Sequence, residues 1–370
     1  MSRPGDESGA PLLARWWYGG WIAAAIAIAA LVFAVVLPSR TPSDVPVATA
    51  SLAPLPTAVR TPLATAISVP ASIDATGSSD ASAALMAWIS SVPDGSTILF
   101  PAGGVFRMDR GLALSDRHDL TFEGNGATLR GNGPDTCGRD CSLIYLRSGN
   151  RGIIIRGFEL VGNSPTPGVF DSAREQEAAI TIVGGGQVEI TDVTISGVGG
   201  DGLTLTGDAP DWPSAIWFHD AHVVSSGRNG VAVIAGSDVV VERVAVDQSG
   251  YSVFDIEPNT SDQGASNIRF LDNTAGTWTN SFLSADGAAG SVVSGITVSG
   301  NTVTGASLLT AIDLARRQNI VFTNNTSRVT AYGPVLHFAH VDGLTVTGNT
   351  QPLSSGSLAS IIDSTSVTYR

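Results

Sequence analysis

The sequence has 370 residues, of which 42 are Gly and only 14% are charged, and its formal net charge at pH 7 is −13. This composition is typical of a β-rich protein with many turns, and its apolar content is too high for a disordered chain. The acidic balance excludes nucleic acid as an expected partner, because phosphate binding needs a basic face.

The N-terminal region predicts a membrane anchor. Residues 21–37 carry no charged side chain, and Trp16, Trp17 and Tyr18 come shortly before them. An apolar run of about 20 residues is long enough to cross a bilayer, and Trp and Tyr gather at the membrane interface. We therefore expect a transmembrane helix over residues 16–37. A cleaved signal peptide is the alternative, although its apolar region is usually shorter, about 7–15 residues.

The segments around this helix predict a single-pass protein of the cell membrane. Residues 1–15 are expected to be a cytoplasmic tail, and residues 38–70, rich in Pro, Thr, Ala and Ser, a disordered stalk. Residues 71–370 would then form an extracytoplasmic domain. Cys137 and Cys141 agree with that location, since a short-loop disulfide fits an oxidising compartment. Two free thiols are the alternative, and a metal site would need more ligands than this segment offers.

The domain carries an internal repeat. From about residue 119, short strands with alternating apolar residues run into Gly or Asn turns, and Asn301, Asn325 and Asn349 follow one another at 24-residue spacing. A period in the twenties, built from strands and turns without helices, predicts an all-β solenoid, a parallel β-helix. Equivalent residues of successive coils then stack about 4.8 Å apart. We expect the Asn side chains to form a hydrogen-bonded ladder, helped by the tolerance of Asn for left-handed turns.

A helix is predicted before the first coils. Asp80 can cap its N-terminus, and the apolar residues that follow recur at helical spacing. They are Leu85, Met86, Trp88, Ile89 and Val92. Because a solenoid leaves an apolar end exposed, one amphipathic helix at this place would cover that end.

Three segments resemble a known family. They are residues 72–80 (Ser-Ile-Asp-Ala-Thr-Gly-Ser-Ser-Asp), the strand that ends in Phe100-Pro-Ala-Gly, and the run Asn125-Gly-Ala-Thr-Leu. Together with the later repeats, over roughly residues 72–365, they are similar to β-helix proteins of the pectate-lyase superfamily. The resemblance implies a single-stranded right-handed parallel β-helix with a groove that faces carbohydrate.

That resemblance does not fix a reaction. The superfamily includes pectate lyases, polygalacturonase-like hydrolases, sugar epimerases and phage tailspikes, since one fold hosts many functions. The Asp pair and the Gly-His-Gly motif of the polygalacturonase-like hydrolases are not found in this sequence, which disfavours that group.

Aligning the coils predicts where reactive side chains meet. We align the second strand of each coil by its inward-facing apolar pair, which gives Leu203/Leu205, Val231/Val233, Phe254/Ile256, Leu283/Ala285, Ile312/Leu314 and Leu336/Phe338. Strand side chains alternate, so the residue between each pair points outward. This alignment places Asp255, Asp313 and His337 in one outward column, and Glu257 and Asp286 in the next one.

The acidic patch predicts a carbohydrate-active site. Asp255 and Glu257, at positions i and i+2 of one strand, are about 6.5–7 Å apart, and inverting glycosidases hold their acid and base about 6.5–9.5 Å apart. Crowded carboxylates raise the pKa of one of them, which makes a general acid. The candidate catalytic residues are Asp255, Glu257 and Arg228. The candidate substrate-binding residues are Asp286, Asp313, His337, Asn259, Tyr251 and Trp212.

Other interpretations of the same patch stay open. The carboxylates could bind Ca²⁺, and a Ca²⁺-assisted polysaccharide lyase would then need a base, for which Arg228 and His337 are the candidates. A uronate epimerase differs from a lyase only in where the proton returns. The alternative outside the enzymes is a non-catalytic cell-surface module that binds polysaccharide or has a structural role, because acidic residues are mostly exposed in any protein.

Overall fold

The computed structural model describes residues 65–132 and 142–370. The predicted tail, the predicted transmembrane helix, most of the predicted stalk, and Cys137 and Cys141 lie outside these ranges, so the anchor and the disulfide stay predictions. Within the two described ranges, no helix is long and apolar enough to cross a membrane.

The described residues form one helix, α1 (Ser82–Ser91), and 31 short strands. In chain order the strands are β1 (Ala66–Ser68), β2 (Thr76–Asp80), β3 (Thr97–Leu99), β4 (Val105–Met108), β5 (Leu112–Leu114), β6 (Thr121–Gly131), β7 (Ile144–Leu146), β8 (Arg151–Val161), β9 (Ile180–Val183), β10 (Gly186–Ser196), β11 (Leu203–Thr206), β12 (Ser214–His219), β13 (His222–Val223), β14 (Val231–Val233), β15 (Gly236–Glu242), β16 (Ala245–Gln248), β17 (Phe254–Ile256), β18 (Gly264–Leu271), β19 (Thr274–Thr277), β20 (Leu283–Ser284), β21 (Val292–Ser299), β22 (Thr302–Val303), β23 (Thr310–Ile312), β24 (Arg317–Thr323), β25 (Thr326–Ser327), β26 (Ala331–Tyr332), β27 (Leu336–Ala339), β28 (Val341–Thr347), β29 (Leu353–Ser355), β30 (Ala359–Ile362) and β31 (Thr365–Tyr369).

Strands of successive coils pair in parallel and form two main sheets. One sheet has ten strands in chain order, β5, β7, β9, β11, β14, β17, β20, β23, β27 and β30, one from each coil. Nineteen other strands form the second sheet, and β26 pairs with β29. The second sheet bends within each coil at a residue with left-handed backbone, such as Asp192 (φ 52°) inside β10 and Asp220 (φ 47°) between β12 and β13. It therefore covers two sides of the solenoid, and the ten-stranded sheet covers the third.

Helix α1 packs at the N-terminal end of the solenoid, as predicted. Leu85 and Ile89 are buried and belong to the hydrophobic core, and the helix contacts β4 and β5. Asp80 accepts a hydrogen bond from the N–H of Ser82 at 3.0 Å, which satisfies one of the free N–H groups of the first helical turn. Strand β1 pairs with β3, so the coils already include residues that the sequence places in the stalk, Ala66–Ser68.

Apolar side chains fill the interior of the coils. The inward positions of four neighbouring strands in the ten-stranded sheet, Leu203, Val231, Phe254 and Leu283, have no exposed surface. The rings of Phe254 and Phe270 stack across the interior with centroids 4.2 Å apart. Each such side chain stabilises the fold by about 1.5–3 kcal/mol when it is fully buried. A slip by one residue would expose this whole row, which is why the register is well defined.

The predicted Asn ladder is present and extends one coil further. The side-chain amide of Asn301 donates to Asn325 at 2.8 Å, and that of Asn325 donates to Asn349 at 3.0 Å. Asn273, one coil earlier, donates to Asn301 at 2.9 Å. The expected left-handed backbone belongs to the residue before each ladder position, as in Gly300 with φ 72°. Asn is therefore suited to these positions by its side-chain amide, which hydrogen-bonds the amide of the next coil and the backbone at a corner of the coil.

Candidate functional site

The ten-stranded sheet presents two outward columns of side chains. Strand pairing gives the first column as Thr204, Ala232, Asp255, Ser284, Ala311 and His337. The same register, continued two residues further along each coil, gives the second column as Thr206, Ile234, Glu257, Asp286, Asp313 and Ala339. The predicted pairing of Asp255 and Glu257 on one face is therefore present.

The predicted position of Asp313 is wrong. Leu283 pairs with Thr310, where the apolar pattern predicts Ile312. Thr310 is fully buried despite its hydroxyl, whereas Leu314, which the pattern turns inward, is 77% exposed. The true register is shifted by two residues at this coil, so Asp313 lies in the second column and not in the first.

Arg228 lies at the centre of a group of carboxylates. Its Nη2 is 2.5 Å from Oε2 of Glu257 and 3.8 Å from Oδ2 of Asp255. Its Nη1 is 3.6 Å from Oδ2 of Asp201. The guanidinium thus reaches acids on the coils before and after its own, and it brings the three candidate catalytic residues together. We call Asp201, Arg228, Asp255 and Glu257 the Arg228 cluster.

Asp201 is a member of this cluster that the sequence pattern does not single out. Its buried carboxylate accepts a hydrogen bond from the N–H of Asn229 at 3.0 Å and another from the hydroxyl of Thr204 at 2.8 Å. The side-chain amide of Asn229 donates in turn to Oδ2 of Asp255 at 3.2 Å. A signal for Asp201 exists in the sequence, because it precedes β11 by two residues just as Asn229 precedes β14.

Burial and crowding favour the neutral form of Asp255. Desolvation is the largest effect and repulsion by Glu257 the next, and together they raise the pKa of Asp255 to about 8 against the opposing attraction of Arg228. Burial also raises the pKa of Asp201. For Arg228, burial disfavours the cation, but the three carboxylates outweigh burial and raise its pKa. The cluster therefore pairs an acid that holds a proton at neutral pH with a permanent cation.

Arg228 also limits the separation of Asp255 and Glu257. One nitrogen lies 3.8 Å from an oxygen of the first and 2.5 Å from an oxygen of the second, so these oxygens are at most the two distances together, about 6.3 Å, apart. That limit falls just below the range of inverting glycosidases, about 6.5–9.5 Å, and includes the range of about 5–5.5 Å of retaining ones. The strand spacing alone predicts the inverting arrangement, whereas the bound set by Arg228 on one oxygen of each group lies between the two ranges.

Two aromatic rings flank the cluster on one side. The ring centroid of Tyr251 is 5.7 Å from that of Phe170, which lies in the long loop between β8 and β9. Phe170 is 40% exposed, and Tyr251 is half-buried. Burial, followed by repulsion from Asp255 and Glu257, raises the pKa of the Tyr251 hydroxyl, which therefore stays protonated. The rings form an apolar wall beside the carboxylates.

The loops after β11 and β17 brace each other on the other side. The indole N–H of Trp212 donates to the carbonyl of Asp262 at 2.9 Å, and the amide of Gln263 donates to Asp208 at 3.1 Å. The Gln263 side chain also accepts the backbone N–H of Asn259 at 2.8 Å. Trp212 and Asn259, both candidate substrate-binding residues, thus help to hold these two loops together.

An open depression of about 330 Å³ lies between these loops and the sheet. Its lining residues are Ser148, Val183, Thr206, Gly207, Asp208, Asp211 and Gln263. Thr206 belongs to the second column two coils before Glu257, a distance of about 10 Å at the usual strand spacing. The depression and the Arg228 cluster therefore lie along one face.

The remaining candidate residues lie on the coils that follow. Asp286 is buried, and its carboxylate accepts hydrogen bonds from the backbone N–H groups of Asp313 at 3.1 Å and Leu314 at 2.8 Å, which closes a turn. Burial raises the pKa of Asp286. Asp313 is exposed. His337 shares the column of Asp255 but is three coils further on, about 14 Å at the usual spacing. These side chains extend the face beyond the cluster.

The Arg228 cluster is not suited to the Ca²⁺ site that the sequence leaves open as an alternative. The guanidinium of Arg228 occupies the space between the carboxylates, and its charge opposes a second cation there. In residues 65–132 and 142–370, no three His, Cys, Asp or Glu side chains are grouped so that they could hold a metal ion.

Comparison with known proteins supports the fold. Residues 211–368 match a family model described as the right handed beta helix region. The N-terminal fragment of gene product 12 of bacteriophage Phi29 has a TM-score of 0.58 and 17% identity, with 79% of this chain and 55% of that chain covered. This chain thus spans little more than half of the phage fragment. No curated protein matches by sequence.

Two structures of carbohydrate-active enzymes are also similar, with lower scores. A family 28 exopolygalacturonase of Yersinia enterocolitica has a TM-score of 0.44 and 12% identity, with 82% of this chain and 78% of the enzyme covered. An alginate lyase of Paenibacillus has a TM-score of 0.43 and 13% identity, with 80% and 97% covered. The family match, the phage structure and the parallel pairing confirm the right-handed β-helix, and with it the resemblance at the level of fold.

Proposed function

We propose that this protein is a glycoside hydrolase that acts through the Arg228 cluster. The observation that carries the proposal is the contrast between two neighbouring carboxyl groups. Asp255 is buried and its pKa is raised to about 8, whereas the side chain of Glu257, two residues on, is 42% exposed and pairs with Arg228. Two carboxyl groups in such different environments are the pair that glycoside hydrolysis requires.

In the proposed reaction, Asp255 donates its proton to the glycosidic oxygen as the bond to the anomeric carbon breaks. Glu257 attacks that carbon and forms a covalent glycosyl ester, the route that needs the shorter separation of the two carboxyl groups. Asp255, now ionised, then takes a proton from water, and the resulting attack releases Glu257. Asp255 is only 3% exposed, so the Arg228 side chain has to shift when the substrate binds.

Hydrolysis is better supported than elimination or epimerisation. A lyase or an epimerase needs a base that removes a proton from carbon. The neighbouring carboxylates raise the pKa of Arg228 and keep it protonated, and His337 lies three coils from Asp255. Neither candidate base is therefore suited to that step.

A second candidate function is glycan binding without cleavage. Asp255 accepts a hydrogen bond from Asn229, lies near Arg228 and is almost fully buried, which is also what a structural polar network requires. In that case the aromatic wall of Phe170 and Tyr251 and the depression beyond it would hold a sugar chain.

A panel of polysaccharides tests the two candidates. The full chain is compared with Asp255→Asn, with Glu257→Gln and, as a control on the other sheet, with Asp192→Asn, which replaces an exposed acid. We expect new reducing ends without new ultraviolet absorbance from the unsubstituted protein and the control, and a loss of about 10²–10⁴-fold in rate for the other two variants. Unsaturated products would overturn hydrolysis in favour of elimination. Binding that survives without any cleavage would favour the second candidate.

We also propose that residues 16–37 anchor the protein in the cell membrane, with the β-helix outside the cytoplasm. The apolar run and its aromatic flank support this location. Protease added to intact cells should remove the β-helix while the N-terminus stays with the membrane fraction. A protein that carbonate washing releases from membranes would contradict the proposal.

A further inference from the structure

The ionisable side chains on the outward columns from the coil of Asp201 to that of Asp313 are acidic, whereas Arg147, next to Ser148 in the lining of the depression, is a cation. On the outward columns between the coil of Asp201 and that of Asp313, the acids Asp255, Glu257, Asp286 and Asp313 stand in sequence. Two further acids, Asp208 and Asp211, line the depression. A sugar chain along this face would meet the accessible carboxyl groups of Glu257 and Asp313, and those of Asp208 and Asp211 at the depression.

Arg228, the one cation of the Arg228 cluster, does not make this face attractive to acidic ligands. Arg228 lies within 4 Å of three carboxylates, two of which, Asp201 and Asp255, are buried. The three groups that it faces are carboxyl groups of the protein itself. The guanidinium is therefore committed to its own acids and is not offered to a ligand carboxylate.

The loop after β17 makes the depression continuous with the cluster. This loop begins next to Glu257 and returns through Gln263, which lines the depression and donates to Asp208. A chain that reaches Glu257 along the face would pass Asp208. An anionic sugar bound there would face uncompensated repulsion of about 1 kcal/mol per close pair in water, and more where the pair is partly buried.

We propose that the substrate is a glycan without carboxylate or sulfate groups, either neutral or amine-bearing. This inference rests on the proposed function and deepens it, because it assigns a substrate class to the same site. It separates this protein from enzymes that act on polyuronates, whose carboxylates a groove lined with cations would attract.

Matched polymers that differ only in charge provide the test. The full chain is assayed for binding and cleavage with polygalacturonate and its carboxyl-reduced form, with alginate and its carboxyl-reduced form, with neutral glucans, and with partly deacetylated chitin. We expect at least tenfold weaker binding of each polyuronate than of its reduced form at low salt, with the difference shrinking as the salt concentration rises. The double variant Asp208→Asn/Asp313→Asn should narrow that difference at low salt.

The outcomes separate the two proposals. If a polyuronate is cleaved as well as its reduced form, and Asp255→Asn abolishes that cleavage, the substrate class is wrong and the hydrolase proposal stands. If a neutral or amine-bearing glycan is cleaved and the polyuronates are not, both stand. If Asp255→Asn and Glu257→Gln alter neither binding nor cleavage of any polymer in the panel, the proposed function fails and the substrate class fails with it.

Discussion

Single residues decide the electrostatics of this face. Asp255 follows the strand alternation outward, yet it lies under Arg228 and beside Asn229, so it combines a surface position with the environment of a buried acid. The alternation predicts which side of the sheet the carboxyl group takes. It does not predict the burial, because the groups that cover Asp255 come from another coil.

The raised pKa of Asp255 predicts a pH dependence of stability. Its folded-state pKa, about 8, lies above the value of about 3.9 of an unfolded Asp. Between these pH values the folded protein binds a proton that the unfolded chain has released, so this group's contribution to stability falls as pH rises from 4 to 8. Asp255→Asn lacks this proton. We therefore expect the melting temperature of the variant, relative to that of the unsubstituted protein, to increase as the pH rises from 4 to 8.

Melting curves at intervals of half a pH unit check this. Asp313→Asn, which replaces an exposed acid on the same face, is measured beside it as the control. A difference between Asp255→Asn and the unsubstituted protein that is constant from pH 4 to 8 would contradict a raised pKa.

Arg228 is predicted to be sensitive to substitution. Its side chain is 15% exposed and lies near acids that are themselves buried, so Arg228→Gln leaves these buried carboxyl groups without the cation that they face. Breaking such a buried pair typically lowers the free energy of unfolding by about 3–5 kcal/mol. Arg316→Gln is the matched control, because Arg316 is 48% exposed and its partners Asp342 and Asp363 are at the surface. Urea unfolding should show a large loss for the first variant and little change for the second.

At the scale of elements, the side-chain ladder at the corners stabilises the coils in addition to the pairing of their strands. The Asn ladder connects four coils through side-chain amides that also bond the backbone, as Asn325 does to the carbonyl of Val298 at 2.9 Å. The ladder was predictable because its spacing is constant where the coils are regular. The register at β23 was not, since Thr310 takes an inward position that apolar patterning gives to Ile312.

An interruption of the ladder should cost more in the middle than at its end. Asn325→Ala removes the acceptor of Asn301 and leaves buried donors and acceptors without partners, at about 1–3 kcal/mol for each unsatisfied group. Asn349 is only half-buried, so Asn349→Ala lets water replace part of the lost bonding. Chemical unfolding of both variants should rank them in this order, and equal losses would show that the ladder carries no special stability.

At the scale of the whole molecule, the described residues form a row of coils whose strands pair only with those of neighbouring coils. Length, composition and repeat predict this architecture and the N-terminal helix. They do not predict the Arg228 cluster as a unit, because Asp201, Arg228 and Asp255 come from three coils whose lengths differ. Val231 pairs with Phe254, 23 residues on, and Phe254 pairs with Leu283, 29 residues on.

A row of coils predicts a gradient of local stability in this chain. Strands near β17 are packed on both sides, whereas Ile362 and Tyr369 of the last coil are 61% and 46% exposed. Nearest-neighbour coupling lets an end coil open while the others stay folded. We expect amide hydrogen exchange to be fastest in β29–β31 and to slow towards β17. Uniform exchange across the coils would indicate a single cooperative unit instead.

The loops on both sides of the ten-stranded sheet have an evolutionary consequence. Aromatic residues on one side and braced polar loops on the other stand on coils whose interior is repeated from strand to strand. A loop can therefore lengthen, shorten or be exchanged for that of another coil without any compensating change beneath it. Ligand preference in such a protein can change by recombination of short segments, while the acids at its centre and the scaffold that carries them are inherited unchanged.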